Sequence, residues 1–175
     1  MVVGRAYEDA LRDRSPEIGE GHLLMALLDD EEGGVILEAV AGDAERAQIR
    51  AEVERARRTG GLTATETDAL AGLGIDVDAV VGRIEEQLGA GALADSRTRS
   101  PRGWRPALSG TVLRVIEEAE RQVGMAGGHS LVVEHLALGL VSTPSVVSES
   151  LARRGVTAAT VRASAAAAGR GGGSR

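Results

Sequence analysis

Apolar positions along this chain recur at helical spacings, and no stretch shows the two-residue alternation of β-branched residues that marks a strand. Leu23, Leu24, Ala26, Leu27 and Leu28 form a short apolar helix, entered through Pro16 and Gly19 and closed by the acidic run DDEEGG. Negative charge at a helix C-terminus opposes the macrodipole, so this helix is expected to be held by burial rather than by its ends. Ile49, Val53 and Ala56 mark a second helix. Val77, Val80, Val81, Ile84 and Leu88 mark a third that Asp76 can cap, and Val112, Val115, Ile116, Ala119 and Val123 a fourth capped by Ser109. Val146, Val147, Leu151 and Val161 complete the ordered part. The tail GRGGGSR, residues 169–175, has no apolar anchor and is expected to be disordered.

Between the halves, residues 89–106 read GAGALADSRTRSPRGWRP. Proline, glycine, serine and four arginines (Arg97, Arg99, Arg102, Arg105) make this a solvated linker, with Trp104 expected to tuck against a helical unit.

Internal repetition is the strongest pattern. EGHLLMALL (20–28) aligns with VEHLALGLV (133–141) at an offset that sets His22 on His135, Leu23 on Leu136, Leu27 on Leu140 and Ala6 on Ala119. A second shared piece, LAGLGIDVDAV (70–80) and LARRGVTAATV (151–161), lies at a shorter offset, which implies an enlargement of about one helical hairpin near 38–69. LEAVAGDAERAQIRAEV, from Leu37, is a weaker version of the same piece. The expected organisation is all-α: a first helical repeat over 1–88, the linker 89–106, and a second repeat over 107–168.

Composition narrows the chemistry. Of 175 residues 43% are hydrophobic, enough for one substantial core, and with Phe absent that core must be aliphatic. No cysteine is present, so disulfides and thiolate metal sites are excluded and a reducing, cytoplasmic setting is the simplest expectation. No apolar run reaches the roughly 18 residues that span a bilayer, and no secretory leader is apparent. A net charge of −6 and the lack of aromatic stacking platforms argue against nucleic-acid partners.

The order and duplication of these motifs resemble the Clp ATPase N-terminal domain family. IGEGHLLMALLDDEEG and LVVEHLALGLVSTP, followed by LAGLGIDVDAVVGRI and LARRGVTAATVRA, are similar to its repeat signature over most of residues 3–165. The resemblance implies two pseudo-symmetric four-helix repeats and a free-standing accessory domain without the AAA+ motor. The chain has no lysine and therefore no P-loop. It also implies a non-enzymatic binding module without cofactor. Such a module engages Clp substrates, adaptors or the Clp machine, or alternatively sequesters a peptide-like molecule such as a Clp-targeting antibiotic. In some relatives the Glu before the repeated His holds a guanidinium-bearing ligand through bidentate hydrogen bonds. Glu134 matches that position, whereas Gly21 fills it in the first repeat, with Glu20 shifted by one residue. The missing Phe also removes aromatic positions that relatives use for cyclic-peptide antibiotics.

Catalytic and metal readings of the densest stretch, HSLVVEHLALGL (129–140), are weak. GHSLV has Val132 where a nucleophile elbow at Ser130 needs glycine, and no strand precedes it. Leu131 stands where a zinc motif ending in Glu134-His135 needs histidine, and His129 and His135, six apart, do not share a helical face. His22 and His135 are expected to be structural, each packing its ring while hydrogen-bonding a neighbouring loop.

Overall fold

A computed structural model describes residues 2–89, 92–93, 105–125 and 131–171. Trp104, His129, Ser130 and most of the expected linker lie outside the described residues. Ten α-helices are present among the described residues: α1 (Val2–Arg12), α2 (Glu20–Leu28), α3 (Glu31–Ile36), α4 (Asp43–Arg58), α5 (Ala64–Gly72), α6 (Val77–Leu88), α7 (Gly110–Met125), α8 (Val133–Ser142), α9 (Val146–Arg153) and α10 (Ala158–Gly171). The described residues are all-α apart from two dipeptide strands that the sequence did not announce. These are β1 (Glu17–Ile18) and β2 (Ala107–Leu108), which pair in parallel, Glu17 with Ala107 and Ile18 with Leu108. Two residues are too few for an alternation to register. Among the described residues no helix is long and apolar enough to cross a membrane. The last helix runs to Gly171, so residues 169–171, expected in the tail, continue the helical backbone.

The core is aliphatic and centres on α2 and α8. In α2 every residue from Leu23 to Leu28 is buried, and in α8 every residue from Leu136 to Leu140. Helices this apolar on all sides must be wrapped by others. Accordingly α1 crosses α2 and α7 crosses α8, α3 lies against α8 and α10, and α4 lies against α2 and α9. Gly139 lets α7 and α8 approach closely: a Cβ there would run into the Val115 carbonyl oxygen and lie 3.2 Å from the Ala119 Cβ.

The acidic run after α2 has a different role from the one its position suggests. Asp30 caps α3 by accepting from the amides of Glu32 and Gly33, at 3.2 and 3.4 Å. The open carbonyls at the end of α2 receive cations from elsewhere. Arg46 of α4 donates to the Leu28 carbonyl at 2.7 Å and pairs with Asp29, and Arg5 donates to the Asp29 carbonyl at 2.6 Å. The end of α2 is therefore satisfied by distant arginines as well as buried.

The repeated piece Leu-x-x-x-Gly-[Ile/Val] is a helix stop. Gly74 and Gly155 adopt φ of +81° and +78°, and the amides of Ile75 and Val156 reach back to the carbonyls of Leu70 and Leu151 at 2.9 Å. This is the Schellman pattern, in which glycine takes the left-handed position at no steric cost. Asp76 then caps α6 and Thr157 caps α10. Burial separates the two copies. Leu151, Val156 and Val161 belong to the core, whereas Ile75 and Val80 are exposed and Leu70 is half-buried. Within the stretch where the enlargement was expected, Val40 and Ile49 are fully buried core residues, as is Leu37 just before it, while α5 buries none.

Candidate binding cleft

Both repeated histidines occupy the third position of their helices, the place where Glu or Gln usually reaches back to the N-cap amide. His22 Nδ1 accepts from the Gly19 amide at 3.0 Å, and His135 Nδ1 from the Val132 amide at 3.2 Å. The bond goes to the backbone at the head of the same helix rather than to a neighbouring loop. Gly19 and Val132 have no side-chain acceptor to return, so each cap is one-sided.

A nitrogen that accepts from an amide must be unprotonated. Burial lowers the His22 pKa below its ordinary value, Asp13 opposes that shift and Arg57 adds to it; Asp13 Oδ2 lies 3.6 Å from Nε2. The unfolded chain therefore binds more protons here than the folded one between the lowered value and about 6.5. His22 contributes stability that is present above about pH 6.5 and lost as pH falls through its folded value. We expect thermal stability to decline as pH falls below about 6.5, and His22→Gln, which keeps an acceptor without a titration, to flatten that decline. An unchanged slope in the variant would refute the assignment.

His22 also borders a cleft of about 1430 Å³ that runs between the two halves. Its walls come from the end of α1, the N-terminus of α2, α4, the loop into α5, the start of α7 and the α8–α9 corner. Val53, Val141 and Val146 supply apolar surface. Around them stand seven carboxylates (Asp9, Asp13, Glu17, Glu20, Glu54, Glu66, Glu149) and four guanidiniums (Arg12, Arg50, Arg57, Arg114).

The two ligand-binding glutamates expected from sequence part company here. Glu20, half-buried, lines the cleft at the first turn of α2. Burial pushes its carboxyl up, and its own backbone amide and the Arg114 charge only partly offset this. Glu134, also half-buried, occupies the first turn of α8 and is not among the lining residues. A carboxylate at position 21 is sterically restricted, since even a Cβ on Gly21 would lie 3.2 Å from Val53 Cγ1.

An ionic network that the sequence reading missed joins α4 to α9, and one member, Glu149, lines the cleft. Arg154 donates to Glu52 Oε1 at 2.9 Å and to the Ser150 hydroxyl at 2.7 Å; Arg153 reaches Glu52 Oε2 at 2.8 Å and Glu149 at 2.9 Å. Burial raises the Glu52 carboxyl, but hydrogen bonds from Arg154 and Ser150 more than offset it, and the pKa is held below the ordinary range. Glu149 behaves likewise, its burial outweighed by the hydroxyls of Thr65 and Thr63 and the Thr65 amide. The tandem Arg153-Arg154 was the available signal, but consecutive arginines usually mark only a hydrated surface.

Among the described residues no group of three or more His, Asp or Glu is arranged to hold a metal ion. No protein-family model matches the chain, and no curated protein sequence is significantly similar to it.

Proposed function

We propose that this chain is a non-enzymatic protein-binding module of the Clp N-terminal domain type, formed by two pseudo-symmetric helical repeats. On this reading it engages a Clp ATPase, an adaptor or a client protein through the cleft between its halves. The observation that carries the reading is an exchange of equivalent contacts. Substituting α7, α8, α9 and α10 for α1, α2, α3 and α4 turns the α1–α2 crossing into the α7–α8 crossing and the α3–α10 contact into the α9–α4 contact. It also turns the His22 cap into the His135 cap. On this reading α4 is the partner of α10, and the α5–α6 hairpin enlarges the first repeat.

The cleft has the mixture a polypeptide partner requires, apolar patches for side chains and charged walls for register. Its volume exceeds the roughly 300–1,000 Å³ of pockets for drug-sized molecules, which favours a polypeptide segment. Glu20 is the carboxylate of the repeated motif that a partner's cationic group can reach there.

Affinity purification with the tagged chain from its source cells is expected to enrich a Clp ATPase, adaptor or client. Charge reversal at the exposed cleft residues Arg50 and Glu54 together (Arg50→Glu, Glu54→Arg) should reduce that recovery at least fivefold. Failure to recover any Clp component or client, or undiminished recovery by the double variant, contradicts the proposal. The same cleft also admits a large peptide-like molecule, the sequestering alternative. Calorimetric titration with Clp-directed peptide antibiotics separates the two: one-to-one saturation favours sequestration, and absent heats remove it.

A further inference from the structure

We infer that the α5–α6 hairpin is a lid on the cleft, held shut by a latch between Glu149 and the first turn of α5, and that opening this latch regulates access to the cleft. The regulatory part rests on the cleft being the binding surface; the motion itself does not.

Three independent observations carry the inference. The hairpin is attached to the molecule without being part of its core. Among the described residues none from 54 through 107 joins the main hydrophobic cluster, and α5 buries no residue. Helix α6 buries Val77 and Val81, yet a gap of about 280 Å³ remains between it and the last turn of α4, beside Arg55, Arg58 and Glu85. An element held by so little apolar contact opens at low free-energy cost relative to the core.

The connection into the hairpin is a pair of glycines that ends α4, the Gly61 amide reaching back to the Ala56 carbonyl at 2.7 Å. Gly60 and Gly61 are consecutive left-handed residues, φ +74° and +93°, and a Cβ on either would meet nothing within 4 Å. The far end of α6 is capped by Gly89 at φ +100°. A few residues with wide backbone freedom at the two ends of a unit are what a hinge needs.

Among the described residues, polar bonds fasten the hairpin to α9 and α4. Glu149 Oε1 accepts from the Thr65 amide at 3.2 Å and from the Thr65 hydroxyl at 2.9 Å, while Arg153 orients the same carboxylate from its own helix. At the opposite edge Arg58 pairs with Glu85 at 3.1 Å. Thr63, Thr65 and Glu66 border the cleft directly, so rotation about the glycines moves one of its walls.

The chain contains no cysteine, so two introduced thiols can carry spin labels without interference. With labels at the exposed positions Asp68 of α5 and Glu117 of α7, the unaltered latch should give one narrow distance distribution. Glu149→Ala should broaden it toward longer distances and accelerate amide hydrogen exchange in α5 and α6 at least tenfold, with α1, α2, α7 and α8 unchanged. Thr65→Ala should act in the same direction but less, because the amide donor remains. Unchanged distances and exchange in Glu149→Ala overturn the lid, and so does parallel acceleration in the core helices. A lid that opens while the affinity of a recovered partner stays constant overturns the regulatory role. A lid that opens in a chain recovering no partner leaves the lid standing and removes the reading of the cleft.

Discussion

Leu151→Ala is expected to lower the stability of the protein by about 2–5 kcal/mol, whereas Leu70→Ala should cost only about 1 kcal/mol. The two leucines hold the same place in the same helix stop, each accepting through its carbonyl from the residue after the left-handed glycine. They differ in what surrounds their side chains. Leu151 is fully buried on α9, which packs on α8 and α4, and truncation there leaves a cavity that close-packed neighbours cannot fill. Leu70 belongs to the lid and already faces solvent in part. For a chain of this length each kcal/mol shifts the thermal midpoint by roughly 2–4 °C, so calorimetry resolves the contrast. Equal losses would mean that the α5–α6 hairpin is as much a part of the core as α9 and α10.

Gly139→Ala is expected to cost about 1–3 kcal/mol, against the usual rule that alanine stabilises a helix relative to glycine by roughly 0.5–1 kcal/mol. Both effects act at this position, and packing wins because the added methyl meets the α7 backbone at Val115 rather than a pliable side chain. Ala26, which the sequence alignment sets on Gly139, is fully buried on α2, the helix that packs on α1, and already carries the methyl. The substitution therefore asks whether the α7–α8 crossing can relax toward the α1–α2 geometry. A stabilised Gly139→Ala protein in urea denaturation would show that it can.

Much of the helical arrangement is legible in the sequence, for reasons that differ among elements. Periodicity located α4, α6 and α7 because each carries an apolar stripe, although that of α6 is only partly covered: Val77 and Val81 are buried while Val80 and Leu88 are exposed. The caps at Asp76 and Ser109 follow from short side chains that satisfy orphan amides one turn later. The second repeated piece misled in a specific way. Leu-x-x-x-Gly-[Ile/Val] encodes how a helix ends, and that local chemistry is the same whether the next helix enters the core or hangs outside it. The weaker copy, from Leu37, supplies the buried residues because burial requires apolar volume and not a glycine stop. The acidic run after α2 was read against the dipole of the helix before it, while Asp30 serves the helix after it. Arg46 and Arg5, too far along the chain to be associated with that end by inspection, supply the missing cations.

The cleft was less legible than the helices that form it. Glu20 was singled out through the repeated motif, but its position on a wall shared with α4 and α9 depends on contacts between segments more than a hundred residues apart. Thr65 and Glu149 carry no motif at all. Each is ordinary in its own helix, and only the tertiary arrangement makes them a pair. Gly21 was legible as a missing carboxylate; the cause, Val53 standing over the position, was not.

The reading of the cleft as a binding surface is tested most directly by the hydrogen-exchange footprint of a partner recovered with the chain. Bound partner should slow exchange in residues 19–22, 49–57, 60–66 and 144–149, the segments that line the cleft, while the outer face of α7 near Glu117 and Glu120 keeps its free rate. Protection confined to α7, or to the end of α10, with the cleft segments unchanged would contradict it.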